Sequence, residues 1–170
     1  MQWLLDGQHP ARRAGVLFGV AFGAVHVAYA LINNLNDLDA ASGRLLNNTL
    51  LVSLVVLFGL AGWRGARATG RLRTGLQASL VTWLLSSVIG LVALWLVTFM
   101  AMDTIARNTG MQQDFVRSGA RDMRTFIIED ALGATVFGSA AALAAGTISG
   151  AAGAALAKGR PLRPGRPAAA

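Results

Sequence analysis

Charged side chains are missing from four long stretches of the chain, Ala14 to Asn36, Leu45 to Trp63, Thr74 to Met102 and Ala131 to Ala157. Each stretch reaches or exceeds the roughly 17 to 25 apolar residues that a membrane-crossing helix needs. The pattern predicts an all-α polytopic membrane protein, a bundle of four transmembrane helices at about 14–33, 45–63, 75–102 and 131–157. The polar intervals are then the connections. A short lead covers 1–13, an outer segment 103–130, and a basic, disordered tail 158–170.

Within the spans, small residues recur at helical spacing. Gly15, Gly19 and Gly23 stand four apart and fall on one face of the first span, with His26, Tyr29 and Asn33 continuing close to that face. Gly133 to Ala157 is richer still, with sixteen Ala or Gly among twenty-five residues. Its stripe Gly138, Ala142, Gly146, Gly150 and Ala154 lets another helix backbone come close, because small side chains leave little between the two axes. The expected mate is the glycine face of the first span, which lies at the same depth, or a copy of the stripe in another subunit. Ser79, Thr82, Ser86, Gly90 and Ala93 form a small polar stripe on the third span, read as a helix contact. The second span, rich in Leu and Val, reads as the one facing lipid.

The third uncharged run holds twenty-nine residues, about 43 Å as a helix at 1.5 Å per residue. It therefore tilts or projects beyond a hydrocarbon core of about 30 Å. In the outer segment, Thr109 with Gln112 matches a capping box, and Asp103 with Arg107 an i, i+4 pair. Met111 with Phe115, then Met123, Phe126 and Ile127, predict two short amphipathic helices separated by Ser118-Gly119, the second running into the last span.

Charge orients the bundle. Alternating the sides puts ten basic residues with Asp6 alone on one side, and five basic residues with seven acids on the other. By the positive-inside bias the basic side is cytoplasmic, with both termini. The net charge of +7 thus serves topology, and no nucleic-acid partner is inferred from it. The Arg-Pro repeats at 160–161, 163–164 and 166–167 belong to the cytoplasmic tail. A composition rich in Ala, Gly and Arg with one Lys suits a bacterial plasma membrane. Arg12-Arg13, an apolar run and Ala28-Tyr29-Ala30 also fit a cleaved secretory signal, and that alternative stays open.

Candidate chemistry is sparse. The chain has no cysteine, which removes disulfides, thiolate nucleophiles and Cys-ligated metals. No HExxH, GxSxG or phosphate-binding glycine loop is present, and no cofactor or catalytic residue is assigned. His26, the ionisable side chain deep within a span, and the pair Glu129-Asp130 at the start of the last span are the candidate ligand or proton site, together with Tyr29 and Asn33. Structural readings stand beside these: His26 hydrogen-bonded to Ser or Thr of the third span, and the two acids complementing a helix dipole. The expected function is a non-enzymatic inner-membrane protein acting through helix packing, as a homo-oligomer or an accessory subunit of a membrane complex. The alternatives are a small transporter or channel using His26 and Glu129/Asp130, and an intramembrane enzyme.

Overall fold

A computed structural model describes residues 9–158; the start of the lead and the Arg-Pro repeats lie outside the described residues. The described residues form an all-helical fold. Four helices are long and apolar enough to cross a membrane: α1 (Pro10–Leu35), α2 (Ala40–Thr69), α3 (Leu72–Met100) and α6 (Met123–Lys158). Two short ones, α4 (Met102–Ile105) and α5 (Thr109–Ser118), connect α3 to α6.

The helices run beyond the uncharged stretches because their ends are capped in the charged flanks. Pro10 begins α1, where a missing N–H costs nothing, and His9 accepts from Ala11 N. Asp39 caps α2 through Ser42 N at 2.7 Å, which holds its carboxylate below the usual range. Asp122 accepts from the hydroxyl and N–H of Thr125 at 2.6 and 2.8 Å and is likewise held low. Gly70 ends α2 in the left-handed region (φ 69°), so the chain reverses into α3 through two residues, Gly70 and Arg71.

One local expectation is corrected. The cap of α5 is Asn108, which accepts from Gly110 N and Met111 N, while Gln112 turns to Ala106 O; Asn fits the turn before the helix better than Thr109, already its first residue. The third long helix, α3, ends at Met100, and α4 follows it with Ile105 buried against the bundle.

Helix neighbours follow side-chain size. The closest pairings are α1 on α3 and α2 on α6; α2 and α3 touch each other and both outer partners. Gly15, Gly19 and Gly23 do face a helix, but it is α3. A Cβ added at Gly19 would come 3.0 Å from Leu85 Cβ, and one at Gly23 2.7 Å from Ile89 Cδ1. The pairing of this face with the Gly-rich stripe of the last span is therefore overturned: branched side chains of α3 fill the glycine groove. On α6, Gly146 lies under the Phe58 ring, Gly150 against Gly62 and Ser79, and Ala154 against Gly75. Here α2 and α6 approach backbone to backbone, since a Cβ on Gly62 would strike Gly150 O and one on Gly153 would strike Gly59 O. The second span is accordingly not a plain lipid-facing helix; Phe58 and Ala61 are fully buried.

The surface is apolar, unlike that of a water-soluble bundle, and the largely apolar interior also buries hydroxyls. The interior holds Thr74, Ser79, Thr82, Ser86 and Thr98, all nearly inaccessible, whereas Leu17, Val20, Val52, Leu84, Val92, Phe99 and Phe137 stand exposed. Ser79 Oγ donates to Gly75 O (3.2 Å) and Thr82 Oγ1 to Ala78 O (3.0 Å), one turn back. Two of the hydroxyls also reach neighbouring helices: Thr82 Oγ1 lies 3.4 Å from Gly15 O of α1, and Thr74 Oγ1 accepts from Thr69 Oγ1 of α2 at 2.8 Å.

Candidate ligand cavity

The bundle is tight at the end carrying Arg64, Arg67, Arg71 and Arg73, and loose at the end carrying α5. The change comes at Phe22 and Phe58, whose rings meet edge to face at 5.5 Å. Below them the glycines bring α2, α3 and α6 together. Above them a cavity of about 520 Å³ separates α6 from α1.

Its floor is Phe22 and Leu54, with Leu50, Leu91, Leu94 and Ile127 as apolar walls. His26 enters from α1 and can do so because Gly90 on α3 has no side chain: a Cβ there would lie 3.1 Å from His26 Cγ. The imidazole stands edge-on to Phe22, with ring centroids 4.5 Å apart. It makes no hydrogen bond to Ser or Thr of α3; its Nδ1 has no protein partner, and neither has Thr135 Oγ1 across the cavity on α6. The nearby hydroxyls of Thr82 and Ser86 donate instead to Ala78 O and Trp83 O of their own helix.

Toward the mouth, the Tyr29 hydroxyl donates to Asn47 Oδ1 at 2.7 Å, tying α1 to α2. Asn33, Asn34 and Asp130 complete the rim, and Met111 of α5 and Ile105 overhang it. Of the five residues singled out from the sequence, His26, Tyr29, Asn33 and Asp130 thus share one cavity. Glu129 does not line it. One residue earlier on the helix, it faces a shallow outer depression beside Phe126 and Phe137, on which Asp130 also borders. Among the described residues the one ion pair is Arg117–Asp114 on α5, so no Arg or Lys neutralises Asp130.

The packing residues divide between the two ends. Gly146, Gly150 and Ala154 belong to the closed end, Ala142 packs against the Phe22–Leu54–Phe58 cluster, and Gly138 lies in the cavity wall with open space where a Cβ would be. No family model matches the chain, and no curated protein or solved structure matches it. The geometry alone must carry the functional reading. Among the described residues no group of three or more His, Asp or Glu is placed to hold a metal ion.

Sequence reasoning passed over Asn47 and Thr135, which line the cavity together with Ser87. Each is a polar residue within or at the edge of an uncharged run, and that was a usable signal. It also passed over Gly59, Gly62 and Gly65, spaced by three along α2, and Gly75, all at close approaches.

The rim is latched. Asp37, in the α1–α2 connection, accepts from Thr109 N (3.0 Å) and Thr109 Oγ1 (2.6 Å), and Asn108 Nδ2 donates to Asn36 O (2.8 Å). These bonds hold the start of α5 over the mouth. Asp37→Ala removes the charged acceptor, and amide exchange at residues 109–112 should accelerate about fivefold, as expected for a bond worth about 1 kcal/mol. Hydrogen exchange by mass spectrometry checks this; unchanged exchange would show that the latch does not hold α5.

Proposed function

We propose that this chain is a non-enzymatic, multi-pass membrane protein that binds a small ligand inside its own bundle, from the acidic end. Insertion in a bilayer is supported by the large apolar side chains exposed around the four long helices. The charge asymmetry supports cytoplasmic termini and an outward-facing α5, in a bacterial inner membrane.

The observation that carries the binding reading is the cavity. Its volume lies in the range of small-molecule sites, roughly 300 to 1,000 Å³, and its lining follows the same recipe of apolar walls with a few converging polar groups. Two of those groups, His26 Nδ1 and Thr135 Oγ1, have no bond within the protein, which an apolar medium penalises and a ligand or water relieves. The arginine end is closed by glycine contacts, which leaves the α5 end and the flank beside Leu51, Gly138 and Ala141 as routes of access. A role through oligomerisation has less support: the Gly146–Ala154 face is already filled by α2 and α3. An accessory or oligomeric contact would use the opposite flank of α6, where Val136, Phe137 and Ile148 are exposed.

The lack of cysteine in the chain makes the test simple. Ser87→Cys and Thr135→Cys in the cavity, Ser79→Cys in the closed half and Ala120→Cys beyond α5 are exposed to a membrane-impermeant methanethiosulfonate applied to intact spheroplasts. Labelling at 87, 135 and 120 with none at 79 is expected. Protection of 87 and 135 would overturn the open cavity, and labelling of 120 only from the cytoplasmic side would overturn the topology.

A further inference from the structure

The cavity's charge and shape narrow the ligand. Its walls are chiefly hydrocarbon and aromatic, from Phe22, Leu50, Leu54, Leu91 and Leu94, so the body of the ligand is apolar. Asp130 is its one acidic side chain, and no Arg or Lys lines it. Asp130 is exposed at the rim and keeps its charge there, and with no Arg or Lys beside it a cation arriving at the mouth meets an unneutralised carboxylate while its apolar body enters the cavity. A hard metal ion is a poor candidate, since it wants several oxygen anions and Asp130 stands without a second carboxylate in the cavity. An organic anion meets the wrong sign. The outer end as a whole carries seven acids against five arginines, which favours approach of cations to the mouth.

We infer that the cavity takes a hydrophobic monovalent organic cation, an ammonium or similar centre on an apolar body, with its charge at Asp130 and its body against Phe22 and Leu54. The uncharged hydrogen-bonding groups at the rim, Tyr29 and Asn47, are bonded to each other and shape the entrance without adding charge. His26 and Thr135, deeper in, serve a polar substituent on the ligand body or a water carried with it. This inference rests on the binding reading above and adds the sign of the ligand's charge and the residue that reads it.

The test uses two ions of the same shape and opposite sign, tetraphenylphosphonium and tetraphenylborate, in equilibrium dialysis against the purified full chain in a non-ionic detergent. Saturable binding of the phosphonium, at least tenfold tighter than the borate, is expected. Asp130→Asn should weaken it tenfold or more and Asp130→Glu should largely restore it. Glu129→Gln, which does not line the cavity, should leave it unchanged. The preference shown by the unaltered protein needs no variant to fold, and elution profile and circular dichroism report whether the Asn variant has. Binding that ignores charge, binding indifferent to Asp130→Asn in a folded variant, or no saturable binding of the phosphonium overturns the inference. If Ser87→Cys and Thr135→Cys still label, the cavity stands and the ligand class alone has failed; if they do not, the cavity itself has.

Discussion

Gly62→Ala should strongly destabilise the bundle. The new Cβ would overlap Gly150 O and approach Gly150 Cα to 2.9 Å, and these are backbone atoms of a helix that cannot swing aside like a side chain. Relief requires α2 and α6 to part along the length where Gly59 meets Gly153 and Ala61 is fully buried. In a bilayer that separation is not opposed by water, so the association depends on dispersion contacts that fall off steeply with distance. Overpacking ordinarily costs about 1 to 3 kcal/mol, and a rigid backbone obstacle puts this site at or above the upper end. Thermal unfolding in detergent, followed by circular dichroism, should show a large fall in midpoint. Gly43→Ala is the control: it lies in the same helix with nothing within 4 Å of the added methyl, and alanine's better helix propensity should leave stability equal or up to about 1 kcal/mol higher. Equal behaviour of the two variants would refute backbone contact between α2 and α6.

The second large effect concerns Phe58 and Gly146. Phe58 is fully buried, and its ring occupies the place where a side chain of Gly146 would be. Gly146→Leu alone forces the ring or the helix to move; Phe58→Ala alone leaves a void between Phe22 and α6, just below the cavity floor. In soluble proteins a Phe→Ala change costs about 3 to 5 kcal/mol. Part of that is transfer from water, which lipid-exposed helices do not recover, so roughly 1 to 3 kcal/mol is expected here. Combined, the two changes exchange knob and hole. The double variant should be more stable than the sum of the single losses by 1 kcal/mol or more, on the order of contact-coupled pairs. Strict additivity in a double-mutant cycle of unfolding midpoints would mean that the two residues do not touch.

Both experiments also bear on the cavity, because these residues close its lower end. Loosening α2 from α6 at Gly62 should let the thiol reagent reach Ser79→Cys, which the tight glycine contacts otherwise shield. The functional geometry is thus a consequence of uneven packing along the bundle. Small residues draw the helices together at the arginine end, and Phe22, Phe58 and Trp83 hold them apart above. Trp83 Nε1 donates to Ser139 O at 3.1 Å, spanning α3 to α6 at the level where they diverge.

Much of this was legible in one dimension. The positions of four helices long and apolar enough to span a membrane could be read from the absence of charge over long runs, because burial of an ionised side chain in hydrocarbon is costly wherever it occurs and needs no knowledge of neighbours. Local chemistry also sufficed for the small polar stripe of α3 as a helix contact and for the break at Ser118-Gly119. His26, Tyr29, Asn33 and Asp130 stood out individually because polar groups in apolar runs demand an explanation. What the sequence could not decide was which faces meet. Hydrophobicity does not discriminate between partners when both helices and solvent are apolar, so the choice falls to shape: branched Val81, Leu85 and Ile89 fit the groove of Gly15, Gly19 and Gly23, while Gly62 and Gly150 fit each other. That three-dimensional matching assigned α1 to α3 and α2 to α6, turned Glu129 away from its neighbour's cavity, and left that cavity where the large side chains hold the helices apart.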